Sequence, residues 1–213
     1  MILLTGFEPF AEDAINPSWL AVCRARDMLR AEGHSVEVVE LPCVFGESGA
    51  ALIDAMDRVA PEIVISVGLA GGRDRISLER VGINCDDARI PDNRGQRPVD
   101  EEVVPGGPAA YFSTLPIKAA LRNLLIAGIK GEVSQSAGTY VCNHVFYALM
   151  HSLASRPGIR GGFVHVPYVP EQLGPGSQTP SMPLETTAEG IAVIARTALE
   201  TSVDVKLSAG ATH

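Results

Sequence analysis

Unbroken apolar runs alternate with stretches whose apolar positions recur every three or four residues, and this alternation continues along the whole chain. Residues 2–5 read as a buried strand, followed by the loop GFEPFAEDAI. Asn16 and Pro17 then open a helix, a capping amide followed by proline in the first turn, and Gly33 closes it. A strand is expected at 36–41, a helix over 46–60, and a buried strand at 62–67 (EIVISV) ending at Gly68. Residues 76–90 have a mixed, extended pattern. Pro116 opens a helix that stops at Gly128, a short strand surrounds Val133, and a helix is expected over 142–155. A strand follows at 162–166, and Thr186 or Thr187 is expected to cap the last helix.

Two segments break the pattern. Residues 91–107 and 167–183 are dense in Pro and Gly, and loops of that length are uncommon unless they serve a function. Strands alternating with helices predict an open, largely parallel twisted sheet with helices on both faces. Ligands of such sheets sit outside the carboxyl ends of the strands. Gly68, Tyr140 and His165 fall at or after predicted strands, so their neighbours are expected on one rim. With no repeat and no linker, residues 1–205 are expected to form a single α/β domain and 206–213 a flexible tail.

Charge and composition narrow the partners. The net charge is −8 with no Lys/Arg cluster, which argues against a nucleic-acid groove. No apolar run approaches the roughly 20 residues that span a bilayer. MILLTGFEPF has no basic leader, so no secretory signal is expected and the expected address is the cytoplasm. Cys23, Cys43, Cys85 and Cys142 form no CxxC pair, which disfavours zinc and redox motifs and predicts free thiols.

A thiol, an imidazole and a carboxylate then stand out as the parts of a cysteine-nucleophile hydrolase. Cys142, in SAGTYVCNHVFY, falls in the first turn of a predicted helix, where free N–H groups favour a thiolate and could hold an oxyanion. The alternative is a buried, inert cysteine. His165 lies in FVHVPY, an apolar strand, where it serves either as a base or as a satisfied core histidine. The rival base His144 is two residues after Cys142 and projects about 200° round the helix. Glu79 is either the carboxylate that orients the imidazole or a surface group paired with Arg80 or Arg75. GLAGGR lacks the ending of a phosphate-binding loop. Phe7 and Phe10 bracket a loop where one could wall a pocket, and Arg89, after two aspartates, could lend positive charge near an oxyanion.

TGFEPF with Asn16-Pro17, the stretch 68–84, DDARIPDN, SAGTYVCN, HVPY and TPSM together resemble the pyroglutamyl peptidase I family in the right order along nearly the whole chain. The resemblance implies an α/β/α sandwich, no metal or cofactor, and frequent assembly into homotetramers. It also implies that Cys142 is the nucleophile, His165 the general base and acid, and Glu79 the orienting carboxylate. Peptides with an N-terminal pyroglutamate are the implied substrates. Phe10 matches a residue that packs on the pyroglutamyl ring, and the substrate-binding candidates are Phe7, Phe10, Asn16, Leu69, Arg89 and Val141.

The chain departs from the family pattern at Ala11-Glu12, Asp13, Leu69 and Gly82, which touch the pocket edge rather than the triad. Glu8 would pair with a free amine if its carboxylate faced the pocket. Two rival functions carry over from the residues: a nucleoside phosphorylase-like transferase, and a non-catalytic binding or redox-sensing protein.

Overall fold

The structure, a computed structural model, describes residues 1–210. Strands β1 (Ile2–Phe7), β2 (Val36–Leu41), β3 (Ile63–Leu69), β4 (Ile76–Glu79), β5 (Val81–Ile83), β6 (Ala110–Phe112), β7 (Gly131–Ser134) and β8 (Arg160–Val166) interleave with five helices. These are α1 (Pro17–Ala31), α2 (Glu47–Val59), α3 (Ile117–Ile126), α4 (Val141–Leu153) and α5 (Leu184–Glu200). Six strands form one sheet in the order β2-β1-β3-β8-β4-β7, and β5 and β6 form a separate ribbon. All pairings in the large sheet are parallel except β4 against β8.

The two faces of this sheet are built differently. Alternate residues of a strand face opposite sides, and both sides are covered, which is why β1, β3 and β8 read as continuous apolar runs. Ile2, Leu4, Ile63, Ile65, Val67 and Val164 pack with α1, α3 and α5 in one aliphatic core. Leu3, Phe7, Val64 and Phe163 pack with α2 and α4 in a second core that is richer in aromatic residues. Each fully buried large apolar side chain contributes about 1.5–3 kcal/mol, so these two layers hold the sheet. Towards the carboxyl ends of the strands the second face becomes polar, with Thr5, Ser66, Ser77, Glu79 and His165 all buried. The chemistry is concentrated on that face.

Several local expectations are corrected. The ribbon strand β6 was not foreseen; it is three residues long and leaves Phe112 67% exposed, so it carries no burial pattern. Helix α5 begins at Leu184, ahead of Thr186 and Thr187, and Thr187 Oγ1 donates back to the Pro183 carbonyl at 3.2 Å instead of capping. Strand β3 runs on to Leu69, which puts Gly68 inside the sheet. In the expected tail, residues 206–210 have no helix or strand, but Ala209 packs against the aliphatic core. Residues 211–213 of that tail lie outside the described residues.

Candidate active site

Register brings the site together. In the parallel β3–β8 pair Gly68 is opposite His165, and in the antiparallel β4–β8 pair Ser77 is opposite His165. Glu79 stands two residues beyond Ser77 on the same face, a diagonal neighbour that a long side chain can reach. His165 Nδ1 lies 2.8 Å from Glu79 Oε1. A carboxylate can only accept, so Nδ1 carries the proton and Nε2 is left for another group. Arg73 Nη1 donates to the same Glu79 Oε1 at 3.0 Å, and Glu79 is fully buried. Glu79 is therefore paired with His165 and Arg73, not with Arg80 or Arg75. Those two arginines turn to Gln135 and Asp74.

Cys142 reaches the same place from above the sheet. It is the second residue of α4, and the N-cap Tyr140 makes no side-chain capping bond, so the first-turn N–H groups keep their free donors. A methyl group built on Gly68 would sit 2.8 Å from Cys142 Sγ and 2.9 Å from the Phe163 ring. Sulfur and imidazole thus flank one glycine of β3, and only a residue without Cβ lets the sulfur settle there. Helix α4 is tied down by Asn143, which accepts from Ile83 N and donates to the Ile83 and Cys85 carbonyls, each at 2.9 Å.

Two influences meet at the Cys142 thiol. Burial pushes it up, Cys43 and Glu79 add to this, and Arg73 pulls it down. The start of α4 acts the other way and favours the anion.

A cavity of about 220 Å³ opens beside the sulfur, lined by Phe7, Phe10, Asp13, Asn16, Leu69, Tyr140, Cys142 and Tyr168, with Cys43, Gly71 and Ile90 completing it. Drug-sized pockets run to about 300–1,000 Å³, so this one suits a single small ring. Phe7, Phe10, Asn16 and Leu69, four of the six sequence candidates, line it. Asn16 also caps α1, accepting from Ser18 N at 3.1 Å and donating to the Glu8 carbonyl at 2.9 Å. Arg89 lines an adjoining cavity that shares Ile90 and Tyr140 with the first. Val141 lines neither. It is fully buried in the aromatic core, so it can offer only its backbone N–H.

The sequence reading missed Tyr140, Tyr168, Cys43 and Ile90 as lining residues, and Arg73 as a partner of Glu79. Tyr140 and Tyr168 lie within the SAGTYVCN and HVPY segments, and that proximity to Cys142 and His165 was the available signal. His144 faces away from the sulfur, with Nδ1 2.7 Å from Asp86 Oδ2 and Nε2 accepting from Gly46 N at 3.1 Å. A second cavity, of about 320 Å³, lies on that side and includes Asp86, Arg97, Glu101 and His144, with no nucleophile.

Comparison with known proteins agrees with this geometry. The pyroglutamyl peptidase family model matches residues 1–201. The pyrrolidone-carboxylate peptidase of Cupriavidus taiwanensis is 52% identical over 214 residues, covering 100% of this chain and 99% of that protein. Its namesake from Klebsiella pneumoniae is 52% identical over 212 residues, with 100% and 99% covered. The crystal structure of pyroglutamyl peptidase I from Bacillus amyloliquefaciens superposes with a TM-score of 0.93 at 45% identity, covering 97% of this chain and 98% of that one. Neither a phosphorylase-like transferase nor a non-catalytic binding protein finds support in these matches. The chain belongs to the pyroglutamyl peptidase family.

Proposed function

We propose that Cys142, His165 and Glu79 are the catalytic residues with which this chain removes an N-terminal pyroglutamyl residue from peptides. Family membership carries the reaction. The observation that carries the residue roles is the His165–Glu79 contact of 2.8 Å on the strand whose register partner, Gly68, lies against the Cys142 sulfur.

Each step is assigned to a group of the site. The lactam ring enters the cavity between Phe7, Phe10 and Tyr140, which puts the carbonyl that joins it to the next residue beside Cys142. His165 takes the thiol proton at its free nitrogen as the sulfur attacks, which overcomes the upward push of burial on the thiol. Glu79 holds the ring in the required tautomer and stabilises the imidazolium, and Arg73 fixes the carboxylate. The uncapped N–H groups at the start of α4 receive the oxyanion. His165 then protonates the departing amine, leaving a thioester, and activates the water that releases 5-oxoproline.

Three coarser properties belong to the same proposal. The single catalytic unit is residues 1–205, the address is the cytoplasm, and the active form is a homotetramer. Exposed Phe112, Leu125 and Ile126 offer apolar surface for association. No helix of the described residues is long and apolar enough to cross a membrane. The test is hydrolysis of a chromogenic pyroglutamyl amide before and after alkylation with iodoacetamide. Turnover should vanish in step with modification of Cys142 and be indifferent to a chelator. Full turnover by an enzyme alkylated at Cys142 would refute the nucleophile.

A further inference from the structure

A second buried histidine–carboxylate pair stands behind the pocket wall, outside the reaction described above. His144 and Asp86 are 8% and 5% exposed, and their side chains meet at 2.7 Å. The Gly46 N–H at the head of α2 can only donate, so His144 Nε2 accepts and the ring's single proton sits on Nδ1, facing Asp86. With both nitrogens occupied, the ring is held at a fixed angle. It meets Phe45 edge-on with centroids 5.7 Å apart and an interplanar angle of 88°. Phe45 meets Tyr140 edge-on at 5.3 Å and 85°, and Tyr140 meets Phe10 at 5.6 Å and 66°. Tyr140 and Phe10 are walls of the cavity that holds Cys142.

We propose that His144 and Asp86 are a positioning pair for substrate binding, setting the Tyr140–Phe10 wall through Phe45. The pair has little hold on the nucleophile. Cys142 is fixed by Gly68 beneath it and by the three Asn143 bonds to Ile83 and Cys85. Loss of the His144 ring frees Phe45 to move into the space, Tyr140 follows, and the pocket fits the lactam ring less closely. The effect belongs in KM rather than kcat, because the wall contacts the ring equally in the ground and transition states.

This inference rests on the pyroglutamyl peptidase reading, and steady-state kinetics on a pyroglutamyl amide separate the two. If the unmodified enzyme does not cleave the amide, the functional reading fails; if it does, the variants test the positioning pair. His144→Ala and Asp86→Ala should each raise KM about tenfold, the scale of one or two aromatic edge contacts, with kcat held within about threefold. Asp86→Asn keeps an acceptor for Nδ1–H and should restore KM to within about threefold of the parent. The double Ala variant should be no worse than either single one, since both remove the same link. The rate of Cys142 alkylation by iodoacetamide, which needs no ring pocket, should not change. If the Ala variants do not fold, His144→Asn keeps the donor to Asp86 but removes the ring that faces Phe45, and should still raise KM. A fall in kcat at constant KM, a slowed alkylation, or an Asp86→Asn variant as impaired as Asp86→Ala would each overturn the proposal.

Discussion

His165–Glu79 and His144–Asp86 are the same chemical pair, for which we propose opposite purposes. Both rings are buried, and both place Nδ1 within 2.8 Å of a carboxylate. Neither burial nor the carboxylate tells a base from a strut. What separates them is the second nitrogen. His144 spends it on the Gly46 N–H, whereas His165 sits on a strand edge-to-edge with Gly68, where the nearby reactive group is a thiol. The uncommitted second nitrogen is the reason the proposed base is His165 and not His144.

The hardest test of that distinction is to remove each group in turn. Cys142→Ser keeps the shape and loses the nucleophile, and should lower kcat by about 10³-fold or more. His165→Ala removes the acid–base group and should cost about 10²–10⁴-fold in kcat. His144→Ala should leave kcat nearly intact. Single-turnover rates on a pyroglutamyl amide measure all three, and a His144→Ala variant as slow as His165→Ala would erase the distinction. Cys23→Ser, Cys43→Ser and Cys85→Ser should retain substantial turnover.

Gly68→Ala strikes the same contact from below. Its new methyl group would crowd both Cys142 Sγ and the Phe163 ring, and one of them must shift. Misplacement of a reacting atom by an ångström costs about 10²-fold, so kcat should drop by that order while the fold survives. A crystal structure of the variant should show Sγ displaced. Unchanged kcat would mean that the sulfur does not work from its resting position.

How much of this was legible depended on whether the signal was local. Helix and strand positions came from periodicity and from Asn16-Pro17, Gly33, Pro116 and Gly128, all local features. The short ribbon strand β6 and the start of α5 escaped because Ala110–Phe112 are poorly buried and Thr186 and Thr187 mimic a cap three or four residues late. The proposed catalytic residues could be named from motifs that resemble the family, but their context could not. Arg73 lies in the loop before β4, and nothing in its spacing from Glu79 reveals that the loop turns its guanidinium back onto that carboxylate. The orientation of Val141 was illegible for the complementary reason: adjacency to Cys142 in sequence says nothing about which way a helical side chain turns, and its side chain enters the aromatic core, leaving only its backbone N–H for a ligand.

pH has a gentler effect, on the alkaline side. The titrating group there is a thiol of the pocket wall, outside both pairs. Burial, with Glu8 and Asp92 nearby, pushes Cys43 from its ordinary value of 9.0 up to about 12. A raised acid contributes stability that is fully present below the unfolded value and is lost as pH rises through the folded one. The window is therefore pH 9 to about 12. By pH 10 the loss should be about 1 kcal/mol, or roughly 2–4 °C in Tm. Cys43→Ser should flatten this decline, and a variant whose Tm falls as steeply as the parent's from pH 8.5 to 10 would assign the loss elsewhere.

The smallest effect concerns a charge that, unlike the two pairs, is neither buried nor matched. Asp13 lines the pocket, is exposed, and forms no ion pair among the described residues. Glu8, the carboxylate expected to threaten selectivity, is used elsewhere: Oε1 accepts from Cys43 N at 3.0 Å and Asn93 Nδ2 at 2.8 Å, and it does not line the cavity. Pyroglutamate brings a neutral lactam into this space, whereas an uncyclised N-terminal Gln brings an ammonium. Burying an unpaired charge costs several kcal/mol, and even about 3 kcal/mol amounts to more than a hundredfold in kcat/KM. The pyroglutamyl form of a peptide should therefore exceed its glutaminyl form by at least that ratio. Asp13 offsets a little of the penalty. An exposed pair is worth about 0.2–1 kcal/mol, so Asp13→Asn should widen the ratio by no more than about fivefold, through slower cleavage of the glutaminyl form. Comparable kcat/KM for the two peptides in the parent enzyme would dismantle the lactam pocket. An unchanged ratio in Asp13→Asn would leave the pocket standing and show that its rim charge does not reach the ring.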